Sequence, residues 1–589
     1  MKLKMNRVLK VVGLTLIAFI FLVACDSDES TTGNGDGAVS GTFEGSADGY
    51  AGKIDVKVTL EDGEITNIET EHQETETLGG VAIEGITEDI VSQQTVNVDA
   101  VSGATVSSDG FLAAVIAALE AAGLSAADFD KEVVADAIEA TDQETDIVII
   151  GAGGAGLTAA IEAAEAGADV IVLEQMPVIG GNTNKATGGM NASETSVQEE
   201  KGIEDSNEVF YEDPFKGGHE LNDPKLLSRM VEDSAEALDW VNSHGTDLND
   251  VSYSGGATNS RIHKPLDGSA VGPLIIEKLA ASLNELGVPI MLRSEVVKIN
   301  EENGRVTGVD VETFDGQTFT VTADAVIIAT GGFGANFELI GEYDDVKAQF
   351  NTTNHEGATG TGILMAQELG ADVVHMEYIQ THPTTNPDNG DLYTEGVRGD
   401  GGVLINKEGG RFIDELKTRD VVSEAILNQT DSVAYLTVSQ NIADLNKSLQ
   451  GYINNGLAVE GETLADLADK LDMDPAVLEQ TISAYNEAVT TGTDSDQGRE
   501  SLSNALEAGP FFAIPVTPGI HHTMGGLKIN EKSEVLNQEG THIQGLYAAG
   551  EVTGGVHGGN RIGGNAVLDI VVFGRIAGQN AAEYSASLD

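Results

Sequence analysis

A set of glycines followed by an acid has the spacing that binds the phosphates and ribose of a dinucleotide. Gly151, Gly153 and Gly156 follow the β-branched run of residues 147–150 in the order G-x-G-x-x-G. In this pattern the first glycine allows a tight turn, the second lets the backbone approach a pyrophosphate, and the third lets a helix pack on the strand. Glu174 follows the next apolar run, where a carboxylate can accept a hydrogen bond from a free ribose 2′-hydroxyl.

The elements that must position these residues are also visible in the sequence. Residues 147–150 predict a strand, the alanine-rich residues 157–167 a helix, and residues 170–173 a second strand. The helix would begin at the phosphates, which its N-terminus attracts. The stretch that follows is too rich in glycine for a plain helix and indicates backbone wrapped around a cofactor larger than NAD. Its candidate cofactor contacts are Gly181, Asn182, Thr187, Gly188 and Gly189.

Composition limits the possible functions. The chain has 589 residues, 41% of them hydrophobic, which predicts several globular domains. Its net charge of -65 argues against nucleic-acid binding and against electrostatic adhesion to anionic lipid. Cys25 is the only cysteine, which excludes disulfides, C-x-x-C-H haem attachment and cysteine-ligated iron–sulfur clusters, and we expect no metal site.

The N-terminus resembles that of a bacterial lipoprotein. Residues 1–24 contain four early basic residues and then an apolar run too short for a typical transmembrane helix, which is typical of a secretion signal. The run ends in Leu22-Val23-Ala24-Cys25, which resembles a lipobox and implies that Cys25 is acylated. Residues 25–40 would form a flexible tether. We therefore expect a lipid-anchored protein on the extracytoplasmic side of the cell membrane; an uncleaved anchor would leave the body on that side too.

A small α+β domain is predicted over residues 41–125, with a linker over residues 126–141. The segment 99–105, Asp-Ala-Val-Ser-Gly-Ala-Thr, precedes an alanine-rich helix. It resembles the acceptor motif of the FMN-binding domains of bacterial respiratory proteins. The resemblance implies that a flavin transferase links FMN through its phosphate to the hydroxyl of Thr105. The alternative is that this threonine only caps a helix.

The rest of the chain, from residue 142, resembles the soluble fumarate reductase flavoproteins, including the flavocytochrome c type. Two further strand-to-glycine segments, at 326–332 and 546–551, and the Arg-Ile-Gly-Gly-Asn-Ala segment at 561–566 support the resemblance. It implies an α/β fold in which residues 142–376 and 520–589 form a Rossmann-like FAD domain and residues 377–519 an inserted α+β clamp. The further contacts implied for a non-covalent FAD are Gly154, Gly332, Gly550, Glu551, Gly564 and Asn565.

The resemblance also implies a reaction, the reduction of an unsaturated dicarboxylate such as fumarate to succinate. Such chemistry needs cations at both ends of the substrate, a hydride donor on one face and a proton donor on the other. FAD N5 would give the hydride and Arg419 the proton. The remaining roles carried over are Glu395 and Arg398 as the proton relay, His522 and Arg561 as ligands of one carboxylate, and His382 and Thr394 as ligands of the other.

Two departures from the family and two alternatives remain at this stage. Leu392 stands where the similar fumarate reductases carry methionine, and the flavocytochrome haem segment is absent. Without haem, FMN on Thr105 is the visible electron donor to FAD, itself reduced by a membrane donor of unknown identity. The alternatives are a reductase of another unsaturated acid, of the urocanate or acrylate type, and a lipoprotein that only conducts electrons.

Overall fold

The computed structural model describes residues 39–50, 52–74, 79–98, 104–129, 140–253 and 255–588. The predicted signal sequence and Cys25 lie outside the described residues. So do residues 99–103 of the acceptor motif and the side chain of Thr105. No helix in the described ranges is long and apolar enough to cross a membrane.

The N-terminal domain is an antiparallel three-stranded sheet covered by two helices. Its elements are β1 (Gly41–Asp48), β2 (Lys53–Glu61), β3 (Glu64–Glu71), α1 (Val81–Gln93) and α2 (Thr105–Ala121). Strand β2 alternates buried and exposed side chains, so that one face packs on the helices. Gly45 allows helix α2 to lie close to β1, since a side chain there would collide with the backbone of Ala114. Thr105 is thereby the first residue of a helix packed on the sheet.

The large domain begins with the predicted strand, turn, helix and strand. These are β4 (Gln143–Ile150), α3 (Gly154–Glu165) and β5 (Val170–Leu173). β4 and β5 pair in parallel, and β4 lies in the middle of a large sheet, which explains its continuous apolar run. Gly151 has φ +102°, a conformation that favours glycine, and a side chain there would collide with the carbonyl oxygen of Ala329.

The next part of the chain completes most of this domain. Its strands are β6 (Met190–Asn191), β7 (Asp250–Ser252), β8 (Ile262–Lys264), β9 (Ile290–Met291), β10 (Ser294–Glu302), β11 (Arg305–Thr313), β12 (Thr318–Ile328) and β13 (Val373–Val374). Its helices are α4 (Ser196–Lys201), α5 (Asn207–Gly217), α6 (Pro224–Glu232), α7 (Ser234–Ser243), α8 (Val271–Leu286), α9 (Phe337–Tyr343) and α10 (Thr361–Glu368).

A second α+β unit with its own hydrophobic core follows. Its strands are β14 (Ile379–Thr385), β15 (Val403–Ile405), β16 (Ala434–Ser439), β17 (Val459–Gly461) and β18 (Phe511–Thr523). Its helices are α11 (Gly396–Gly399), α12 (Arg419–Leu427), α13 (Gln440–Ala443), α14 (Lys447–Asn454), α15 (Leu464–Lys470) and α16 (Pro475–Thr491). The sheet order is β14-β18-β16-β15, with β17 also paired to β18.

The C-terminal segment returns to the large sheet. It contains β19 (Gly526–Lys528), β20 (Glu534–Leu536), β21 (His542–Ala548), β22 (Thr553–Gly554) and α17 (Asn565–Ala586). Strand β21 pairs with β12 in parallel, and α17 packs along α3. The large sheet has the order β10-β11-β21-β12-β4-β5-β9. The mixed α/β fold expected from the sequence is therefore confirmed.

Candidate active site

A cavity opens at the turn between β4 and α3. The glycine turn and the N-terminus of α3 form one wall, and Glu174 lies at the end of β5. Each carboxylate oxygen of Glu174 accepts a backbone N–H, from Ala152 at 2.8 Å and from Met176 at 2.9 Å. Burial raises the pKa of Glu174, while these backbone donors lower it. The glycine turn, the helix N-terminus and the acid fit an FAD whose pyrophosphate lies on the turn.

The structure divides the predicted FAD contacts into two groups. The residues that line the cavity are Gly151, Gly153, Gly154, Glu174, Gly181, Asn182 and Glu551. The residues that pack behind or beside it are Gly156, Gly332, Gly550, Gly564 and Asn565. Gly332 is an example of the second group, because a side chain there would collide with Thr523 and Glu551. Thr187 lies instead near the predicted substrate ligands, with its hydroxyl 3.4 Å from that of Thr394, and Gly188 and Gly189 lead into β6.

Sequence reasoning missed part of the cavity wall. Ser294 at the start of β10 lines it, as do His355 and Thr361 from the segment before and at the start of α10. The backbone N–H of His355 donates to Asn182 Oδ1 at 2.7 Å. These residues come from two separate segments of the chain without a recognisable spacing, so that only the fold brings them to the cofactor cavity.

The predicted catalytic residues lie where the second unit meets the large domain. Pairing of β14 with β18 places Gln380 opposite His522, and a register shift follows at the next position. Arg419 is the first residue of α12, and Arg398 lies on the short helix α11. Arg561 belongs to the loop before α17.

Arg419 forms a bidentate ion pair with Glu395. Its Nε and Nη2 donate to the two carboxylate oxygens, each at 2.8 Å. Arg398 donates from Nη2 to the same carboxylate at 3.1 Å. Burial alone would raise the pKa of Glu395, but Arg419 and Arg398 hold it well below its usual range. Burial lowers the pKa of Arg398. One carboxylate therefore connects two arginines.

Arg561 and His522 are buried, and each has a side-chain nitrogen without a hydrogen-bond partner in the described ranges. His522 Nδ1 lies 3.5 Å from Glu551 Oε1, whereas its Nε2 has no hydrogen-bond partner within the described ranges. Arg561 Nη1 donates to the carbonyl of Ile562 at 3.1 Å, and its Nε is likewise unpartnered there. Burial and then the charge of Arg419 lower the pKa of Arg561 to about 9. Burial also lowers the pKa of His522 well below its usual range. These groups suit an anionic ligand.

The other predicted carboxylate ligands, His382 and Thr394, lie on the Glu395 side. His382 is 1% exposed, and its Nε2 lies 3.9 Å from Glu395 Oε1. Burial, followed by the charge of Arg419, lowers its pKa well below the usual range. The backbone N–H of Thr394 donates to the hydroxyl of Tyr452 at 3.2 Å, so helix α14 of the same unit holds this threonine in place.

Gln380 connects the predicted proton donor to the predicted carboxylate ligand. Its Oε1 accepts from Arg419 Nη1 at 3.0 Å, and its Nε2 donates to the backbone carbonyl of Arg561 at 2.8 Å. Sequence reasoning passed over this residue, although it lies two positions before His382. The alternation of side chains along a strand was the available signal, because residues two apart face the same side.

Comparison with known proteins agrees with a two-flavin enzyme. The family described as FAD binding domain matches residues 146–567, and the family described as FMN-binding domain matches residues 49–120. The chain therefore belongs to the FAD-binding family and carries an FMN-binding domain of the covalently loaded type. The predictions of FAD and FMN as cofactors are confirmed.

The relatives narrow this class. The chain is 41% identical over 547 residues to NADH:fumarate oxidoreductase of Klebsiella pneumoniae (strain 342), covering 92% of this chain but 58% of that protein. It is 35% identical to urocanate reductase of Eggerthella lenta, covering 94% of each chain. An open-conformation flavocytochrome c3 fumarate reductase structure is 42% identical, with a TM-score of 0.66, over 75% of this chain and 79% of that one.

The protein is thus a fumarate reductase-like flavoprotein, a member of a group of oxidoreductases that act on carbon–carbon double bonds.

Proposed function

We propose that the protein reduces fumarate to succinate on the extracytoplasmic side of the membrane. The observation that carries this proposal is the buried, incompletely partnered pair of Arg561 and His522 beside Arg419 and Glu395. FAD, held by the glycine turn and Glu174, would supply the hydride. The remaining requirements, binding of a dianion and delivery of a proton, fall to side chains of this chain.

Binding requires positive charge that is not already neutralised. Arg561 has no carboxylate within salt-bridge distance in the described part of the chain, and its pKa is lowered to about 9 by burial and by Arg419. A substrate carboxylate would restore its charge balance and accept two parallel N–H bonds. His382 and Thr394 would hold the second carboxylate. A substrate with a carboxylate at each end therefore uses more of the site than a monoacid.

Proton delivery would run through the shared carboxylate. Arg419 gives a proton to the substrate carbon as the hydride arrives at the neighbouring carbon. Glu395 Oε1 lies within hydrogen-bond distance of both Arg419 Nε and Arg398 Nη2. A proton taken from Arg398 by Glu395 can then restore Arg419. The low pKa of Arg398, caused by burial, makes its proton easier to release than that of a solvent-exposed arginine.

A panel of acceptors tests the substrate. Protein reduced under anaerobic conditions by an excess of dye would be mixed in turn with fumarate, urocanate, cinnamate, methacrylate or acrylate, and the rate of its reoxidation measured. We expect the highest kcat/KM with fumarate. A preference for urocanate would favour the alternative that the 35% identical urocanate reductase suggests. No reoxidation by any acid would favour the electron-conduit alternative.

Electrons would enter through FMN attached by a flavin transferase to Thr105, the first residue of α2. Thr105→Ala should abolish the flavin fluorescence that remains with the protein on a denaturing gel. Ser108→Ala is the matched control, because the Ser108 hydroxyl already donates to the carbonyl of Ala104. Fluorescence that persists in Thr105→Ala would contradict the attachment site.

Location rests on the N-terminal sequence. Acylation of Cys25 would hold the protein at the outer face of the cell membrane, where a membrane-bound donor of unknown identity could reduce the FMN. Cells fed a labelled fatty acid should label the wild-type protein and not Cys25→Ser. The variant should also leave the membrane fraction, whereas equal membrane retention would contradict a lipid anchor.

A further inference from the structure

Behind the proposed proton relay lies a second group of buried charges that the reaction itself does not use. The Glu415 cluster consists of Arg411, Glu415, Asp494 and Arg499, whose side chains are at most 6% exposed. Arg411 donates to both oxygens of Glu415, at 2.7 and 2.8 Å, and to Asp494 at 2.7 Å. Two arginines and two carboxylates make this cluster electrically balanced.

The Glu415 cluster closes a ring of hydrogen bonds with Arg398. Arg398 Nη1 donates to the backbone carbonyl of Glu415 at 2.7 Å. Arg499 Nη1 donates to the Glu415 carboxylate at 3.1 Å, and Arg499 Nη2 donates to the backbone carbonyl of Arg398 at 2.6 Å. Arg499 thus fixes the main chain of Arg398 and also the residue that holds its side chain.

These hydrogen bonds fix the orientation of the Arg398 guanidinium. Of its guanidinium nitrogens, Nη1 points to Glu415, Nη2 points to Glu395, and Nε has no hydrogen-bond partner among the residues that the structure describes. The Glu415 carboxylate, bound by Arg411 and Arg499, keeps the backbone carbonyl of the same residue in place. If the carbonyl moved, only the ion pair with Glu395 would hold Nη2 at 3.1 Å from the relay carboxylate. A displacement of about 1 Å is enough to slow a proton transfer substantially.

We propose that Glu415 and Arg499 are positioning residues of the proton relay, which hold the Arg398 guanidinium against Glu395 and set the charge around it. This inference rests on the proposed function, because it assigns Arg398 to proton delivery. Neither Glu415 nor Arg499 lines the FAD cavity.

The neighbouring charges predict the direction in which each substitution shifts the pKa of Arg398. The ionisable groups around Arg398 are Glu395, Arg419, His382, Glu415 and Arg499. Burial lowers the pKa of Arg398, Glu395 and Glu415 raise it, and Arg419 and Arg499 lower it. Removing Glu415's charge should therefore make Arg398 lose its proton at lower pH. Removing Arg499's charge should have the opposite effect.

The test is the pH profile of kcat for fumarate reduction by the full-length protein loaded with FAD and FMN. In Glu415→Gln the alkaline limb should move down, and in Arg499→Gln it should move up, each by about 0.5 pH unit or more. Arg499→Lys keeps the charge but not the two-pronged geometry, so its limb should stay at the wild-type pH while kcat falls several-fold. Glu415→Asp keeps the charge but shortens the side chain, so its limb should stay at the wild-type pH while kcat falls, and it tests the positioning role if Glu415→Gln does not fold.

Arg261→Gln is the matched control, since Arg261 is an equally buried arginine bound to Asp205 and Asp213 in the large domain. It should lower the melting temperature without moving the limb. Limbs that move in the same direction, or not at all, in the two Glu415-cluster variants would overturn the inference while fumarate reduction by the wild type stands. A wild-type protein that reduces no unsaturated acid would overturn the proposed function and, with it, this role of Arg398.

Discussion

Two buried arginine clusters of this protein differ in how their charges are balanced. Arg261 in the large domain has two carboxylates for one guanidinium, with contacts of 3.0 and 2.9 Å to Asp205 and 2.6 Å to Asp213. It also packs over the ring of Phe210 at 4.7 Å. Every nitrogen of this guanidinium has an acceptor, so no hydrogen-bonding capacity of Arg261 is left for a ligand.

The cluster around Glu395 has more cations than carboxylates. Arg419 and Arg398 share one carboxylate, and Arg561 faces them without an ion-pair partner in the described ranges. Burial lowers the pKa of Arg561 and Arg398, which shows that the fold pays a cost for these cations. The difference between the two regions teaches that a completed charge network supports the fold, whereas an incomplete one marks the place where an anion binds.

The largest expected effect comes from removing the proposed proton donor. Arg419→Ala should lower kcat about 10²- to 10⁴-fold, the usual contribution of a positioned acid. KM should change less, because Arg561 and His522 remain. Stopped-flow reoxidation of the reduced protein by fumarate measures the chemical step, and FAD absorbance checks that the cofactor is retained. Near-normal turnover with bound FAD would show that Arg419 is not the proton donor and that the Glu395 cluster has no catalytic role of this kind.

A smaller effect, on stability alone, is expected in the Arg261 cluster. Arg261→Gln leaves two buried carboxylates without their partner, which should cost about 3–5 kcal/mol in the unfolding of the large domain. Thermal denaturation of the FAD-loaded protein should show a clear drop in melting temperature. The kcat for fumarate at a temperature below the transition should stay within about twofold of wild type, as expected for a site remote from the reacting groups. A large loss of kcat without loss of stability would show that the two clusters do not differ in kind.

The sequence predicted the incomplete cluster better than the complete one. Arg398, Arg419 and Arg561 stand in short motifs, so that family resemblance identified all three, and the structure places them together with Glu395 and Gln380. Arg261 has no motif. Its partners Asp205 and Asp213 lie 56 and 48 residues away along the chain, and only the packing of α5 against the segment before β8 brings them to it.

The same contrast applies to the fold. The strand, turn and helix at β4 and α3 followed from local spacing, because glycine at Gly151 and Gly156 and the apolar run before them act over a few residues. The insertion of β21 between the consecutive strands β11 and β12, more than 200 residues before it in the chain, did not follow from its own sequence pattern. Long-range parallel pairing depends on which strand edges remain free, a property of the whole domain.

The third expected effect concerns substrate binding at the incomplete cluster. Arg561→Met removes the cation but keeps an apolar side chain, and it should weaken fumarate binding by about 2–4 kcal/mol, an increase in KM of about 30- to 1,000-fold. Arg561→Lys keeps the charge and loses the two-pronged geometry, so its KM should lie between wild type and Arg561→Met. Steady-state kinetics at pH 7 measures both. An unchanged KM in Arg561→Met would place the carboxylate elsewhere.

The smallest effect is a pH dependence of substrate binding that originates at Arg561 and not in the Arg261 cluster. Arg561 must be protonated to bind a carboxylate, and its pKa of about 9 results from burial and the charge of Arg419. As pH rises through about 9, the free site loses its proton, and kcat/KM for fumarate should fall about tenfold per pH unit.

Arg561→Met serves as the control for this pH dependence, because it has no proton to lose at that position. Its kcat/KM, although low, should lack the fall assigned to Arg561, whereas Arg261→Gln should retain the fall at the wild-type pH. The same alkaline fall in Arg561→Met and wild type would assign it to another group, and Arg561 would then be a cation whose charge balance is restored without substrate.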